Sequence, residues 1–81
     1  MSKFDDLNKL IKRLENFKID TEFELLLKDI KSFVMQYYTE NSHEYFDLLD
    51  KENIYRMIPY DADGIFIRKQ TFGTMLNSYK V

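Results

Sequence analysis

The sequence predicts a mainly helical α+β fold: three N-terminal helices, a short β-hairpin and a C-terminal helix, packed as one domain over residues 1–81. Three observations carry this expectation. Apolar residues recur at three- and four-residue spacing from Phe4 to Leu49, the period of a helix face. No Gly or Pro occurs before Pro59, so nothing in the first two-thirds interrupts a helix. From Asn53 onward the pattern changes to short runs of strand formers around an Asp/Gly turn. The division falls at residue 52, with the helical part before it and the hairpin plus terminal helix (53–81) after it. An all-helical bundle with an irregular segment in place of the hairpin is the second choice.

The first helix spans about Lys3 to Asn16. Ser2 can cap it, and Asp5 and Asp6 lie in its first turn, where the helix dipole favours anions. Phe4, Leu7, Leu10, Ile11, Leu14 and Phe17 share one face. The second helix runs from about Glu22 to Thr39, with Thr21 and Glu24 spaced as a capping box. Its stripe, Phe23 through Tyr38, is wide enough to meet more than one neighbour. A third, short helix covers about Ser42 to Lys51, with Asn41 and Glu44 as a capping pair. Asn53 to Pro59 and Ile65 to Arg68 then read as two strands around Asp61-Ala62-Asp63-Gly64, where Gly64 can take positive φ. Thr71 can cap a terminal helix carrying Phe72, Met75, Leu76 and Tyr79.

Composition removes several chemistries. There is no cysteine, so disulfides, thiolate metal sites and thiol catalysis are excluded. The N-terminus lacks the apolar core of a signal peptide, and no apolar run approaches a membrane span. The expected location is cytoplasmic, with no membrane partner. His43, the one histidine, sits beside a helix start with nothing nearby that resembles a nucleophile elbow. Asp61-Ala62-Asp63-Gly64 has the flavour of a calcium loop but lacks the downstream bidentate Glu. Asp47 and Asp50 lie one turn apart on a face that reads as solvated, and no glycine-rich phosphate loop exists. Neither cofactor, metal site nor enzymatic activity is expected.

Two candidate surfaces remain. Net charge is −2, but residues 1–53 hold eight Lys/Arg against twelve Asp/Glu, while 54–81 hold four against two. The basic set Arg56, Arg68, Lys69 and Lys80 next to a helix start is what phosphate contacts use. The stretch from Arg68 to Leu76 loosely resembles the start of a recognition helix in winged-helix modules of phage-type replication proteins, over about ten residues. This resemblance implies a nucleic-acid-binding role, which overall acidity opposes. The competing surface is aromatic. The chain holds seven Phe and six Tyr, more large rings than so small a core encloses. Met35, Tyr37, Tyr38 and Tyr45, with Tyr55 and Tyr60, form a Met/Tyr set of the kind found at adaptable binding surfaces. The favoured reading is a non-enzymatic protein-interaction module (an inhibitor, adaptor or accessory subunit), acting on another protein or as a homodimer. The richness in Lys, Asn, Ile, Tyr and Phe matches an AT-rich genome and fits a phage or mobile-element accessory factor.

Overall fold

Short polar side chains decide where the helices of this chain begin. The structure is a computed structural model that describes residues 2–80. The Ser2 hydroxyl accepts from the Asp5 amide at 3.1 Å and opens α1 (Lys3–Asn16). The Ser42 hydroxyl accepts from the Tyr45 amide at 3.1 Å and opens α3 (His43–Tyr55). The Asp61 carboxylate accepts from the Gly64 amide at 2.8 Å and opens α4 (Ala62–Ser78). Each bond satisfies one of the amides that a helix start leaves without a partner. The remaining helix, α2 (Asp20–Tyr38), begins at Ile19, which has no acceptor to offer. There Glu22 reaches back instead and accepts from the amides of Lys18 (2.9 Å) and Ile19 (3.3 Å), half of a capping box. The cap residues expected at Thr21 and Asn41 are thus displaced to Glu22 and Ser42.

The expected β-hairpin is not formed. All four elements are helices, no strand occurs among the described residues, and the fold is an all-helical bundle. Asn53, Ile54 and Tyr55, read as the start of a strand, are the last turn of α3. Asp61-Ala62-Asp63-Gly64, read as a hairpin turn, is the N-terminus of α4, and Gly64 does not take positive φ. Ile65 to Arg68, read as the second strand, is the second turn of that helix, which begins nine residues before Thr71. The physical reason lies in periodicity. Gly64, Arg68, Phe72, Met75, Leu76 and Tyr79 are all buried at three- and four-residue spacing, so the inward stripe of α4 includes an arginine that a purely apolar reading skips.

In packing, α1 lies against α2 and α4, α2 lies against α3, and α2 also reaches α4 through the Phe23 and Phe72 rings. Buried residues from all four helices form one cluster, among them Leu7, Leu14, Leu26, Ile30, Val34, Leu48, Phe72 and Leu76. Phe23 ties the layers together. Its ring lies 5.1 Å from that of Phe17 and 5.5 Å from that of Phe72, centroid to centroid, within the range where aromatic pairs attract. Arg13–Asp29 bridges α1 to α2, and Lys31–Glu52 bridges α2 to α3. A groove of about 490 Å³ runs along the α3/α4 seam.

Candidate functional site: the Arg68 clamp and the surfaces around it

The chain between α3 and α4 must reverse direction within six residues, which leaves the last carbonyls of α3 without intrahelical partners. Arg68 supplies the donors. One of its terminal nitrogens, Nη2, donates to the carbonyls of Tyr55 and Ile58, both at 2.7 Å. The other, Nη1, donates to Pro59 at 3.2 Å and Gly64 at 3.1 Å. The guanidinium lies 3.9 Å from the Tyr60 ring centroid and 5.6 Å from that of Phe23. The residue is 1% exposed and has no carboxylate partner among the described residues. A buried cation is tolerated here because carbonyl dipoles, the negative end of α3 and two ring faces replace the counter-ion. Gly64 is part of the same device. A Cβ there would lie 1.8 Å from the Pro59 oxygen, so only glycine lets α4 press against the loop.

This geometry withdraws Arg68 from any phosphate. The other basic residues singled out in the sequence are engaged more loosely. Arg56 donates to Glu52 at 3.1 Å, with its side chain half-exposed. Lys69 donates to the Glu15 carbonyl at 2.9 Å and stands over the Phe17 ring. Lys80 is exposed just beyond α4. Of the two cations in the stretch from Arg68 to Leu76, Arg68 is buried and Lys69 is half-buried.

The expected Met/Tyr surface divides into two clusters at opposite ends of α2. Tyr37 and Tyr38 are half-buried; the Tyr38 ring lies 5.1 Å from that of Tyr79 at the end of α4, and the Tyr37 ring lies 4.8 Å from that of Phe33. The Tyr37 hydroxyl donates to Asp6 at 2.9 Å, and that carboxylate raises the phenol's pKa. Tyr55 and Tyr60 lie about 22 Å away along α2, around Phe23, Phe72 and Arg68. Burial raises the Tyr60 pKa, while Arg68 opposes it. Tyr45 belongs to neither group and is half-buried beside Phe46. Of the six residues, Met35 and Tyr60 are exposed, and the four other tyrosines pack against the core.

Most of the apolar side chains that reach the surface lie outside that set. Five of the ten large exposed hydrophobics fall within residues 54–67: Ile54, Met57, Tyr60, Phe66 and Ile67. Met57 is 86% exposed. Ile54, Met57 and Ile67 are each next in sequence to a residue of the Arg68 clamp, namely Tyr55, Ile58 and Arg68 itself. In the sequence they look like strand formers; in the fold Ile54 and Ile67 fall outside the inward stripes of α3 and α4, and Met57 lies in the turn between them. Among the described residues no group of His, Asp and Glu is placed to hold a metal ion, and no helix is long and apolar enough to cross a membrane. No protein-family model, no curated protein and no solved structure matches this chain.

Proposed function

We propose that this protein is a non-enzymatic interaction module that binds another protein through the α3–α4 corner. The observation that carries the reading is the exposure of Ile54, Met57 and Ile67 around a loop held rigid by Arg68. Apolar side chains on a pre-ordered corner lose little conformational entropy on binding, which favours their use as anchors. Tyr60 sits at the edge of the same corner with one ring face against Arg68. Such a surface suits an inhibitor, adaptor or accessory subunit that covers part of a larger partner.

The test is affinity capture from the native host with two baits, the unmodified chain and an Ile54→Glu/Met57→Lys variant of matched helicity and Tm. A protein enriched by the first and lost by the second supports the reading. Capture that is indifferent to the substitutions, or retention of nucleic acid in a filter assay at about 50 mM salt, overturns it.

A further inference from the structure

The link between α2 and α3, residues 39–42, contains the one non-glycine residue with positive φ among the described residues. Thr39 takes φ 74° and ψ 162°. That region suits glycine, and a β-branched side chain is strained in it. Thr39 also closes α2 poorly. Phe17 and Arg56, the C-caps of α1 and α3, return their amides to the carbonyls of Arg13 and Glu52 at 3.0 Å. Thr39 makes no such bond among the described residues. Ser42 holds the bend: its hydroxyl donates to the Thr39 carbonyl at 2.8 Å and accepts from the Tyr45 amide. The link has neither Gly nor Pro, so a continuous helix is sterically open to it. The inward stripes on either side are also in phase. Leu48 follows Ile30 by eighteen residues, about five whole helical turns. In one unbroken helix from Asp20 to Tyr55, both buried residues of α3, Leu48 and Glu52, fall within about 40° of the line through Ile30.

We propose that the link straightens into that helix and that the chain thereby exchanges α3 and α4 with a second copy of itself, as a domain-swapped dimer. Straightening releases Thr39 from its strained conformation and gives the last carbonyls of α2 helical partners. It also carries Leu48, Phe72 and Leu76 off the chain's own α1 and α2. The surface so uncovered is complementary to those same residues, and a second copy supplies them. Reciprocal exchange closes the assembly at two chains. Arg68 keeps the exchanged piece whole, since its bonds to Tyr55, Ile58, Pro59 and Gly64 all lie inside it. The Lys31–Glu52 bridge and the Phe23–Phe72 ring contact then form between chains. The inference does not rest on the role proposed for the α3–α4 corner.

Sedimentation velocity of the full chain, incubated to equilibrium at about 10 μM to 1 mM, tests it. The expected result is a dimer whose fraction grows with concentration. Thr39→Gly, which removes the strain of the bend, should weaken that dimer roughly tenfold or more. Asn41→Ala, which favours a helical link, should strengthen it. Isotope-filtered NOE spectroscopy reads the topology in a dimer formed from an equimolar mixture of labelled and unlabelled chains. The Phe23 and Phe72 rings, 5.5 Å apart centroid to centroid, should show contacts between chains. A monomer throughout the range, a dimer without interchain Phe23–Phe72 contacts, or a dimer that Thr39→Gly leaves unchanged or strengthens overturns the proposal.

Discussion

Arg68 shows how one side chain replaces a structural element. Its four carbonyl acceptors belong to the end of α3, the loop and the first turn of α4, so one guanidinium ties the three together. A lysine at this position offers a single nitrogen and no planar face for Tyr60. Arg68→Lys is therefore expected to cost about 2 kcal/mol, and Arg68→Ala about 4 kcal/mol because a cavity is added. Urea midpoints of the two variants measure this, and a midpoint unchanged in Arg68→Lys would show that the clamp is dispensable. Tyr79 gives a second test at the same scale. Its hydroxyl is buried without a hydrogen-bond partner among the described residues, and burial pushes its pKa well above the ordinary value near 10. The folded chain thus holds this proton at a pH where the unfolded chain releases it. The stability involved is intact below about pH 10 and is lost as pH rises beyond it. Tyr79→Phe removes both the unpartnered hydroxyl and its titration. We expect equal or higher stability at pH 7, and a lead over the unmodified chain that widens above pH 10, followed by thermal melts across that range.

At the scale of the elements, the chain's two glycines are predicted to behave oppositely within one helix. Gly64→Ala drives a methyl into the Pro59 carbonyl, a backbone atom that cannot step aside, and should cost about 2 kcal/mol. Gly73→Ala meets only the end of Leu14 and should stabilise by about 1 kcal/mol through helix propensity. Melting both variants at low protein concentration decides the matter, and a shared sign would refute the assignment. The same helix marks the limit of what the sequence discloses. The first helix is legible from Ser2 to Asn16 because its cap, first-turn acids and apolar stripe agree. The second and third are legible in their stripes but not in their ends, where Glu22 and Ser42 prevail over equally plausible neighbours. From Asn53 the local signals point the wrong way. Ile, Tyr and Phe around Asp61 and Gly64 match a hairpin as well as a capped helix, and only the tertiary role of Arg68 distinguishes the two. The candidate surface inherits that error. Tyrosines judged by residue type fall against the core, whereas Ile54, Met57 and Ile67 became visible as surface only once α3 and α4 had their true extents.

Across the whole molecule, burial is unevenly shared. The second helix sends Phe23, Leu26, Leu27, Ile30, Phe33 and Val34 into the core, whereas α3 sends one apolar residue, Leu48. Half-buried Tyr45 and Tyr55, the Lys31–Glu52 bridge to α2 and the Arg68 bonds at its end complete its hold on the bundle. Regions with few buried apolar side chains open at lower free energy than the global transition. The amides of α3 from Leu48 to Tyr55 should accordingly exchange through a partial opening that leaves α1, α2 and α4 protected. In native-state hydrogen exchange at increasing denaturant, they should form a separate group with a shallow slope, merging with the other helices only near the midpoint. Arg68→Lys should lower that group's free energy more than it lowers the group of α1. Exchange of α3 and α1 along one common line would mean that the bundle opens as a single unit, and that the corner carrying Ile54 and Met57 is as firmly held as the core.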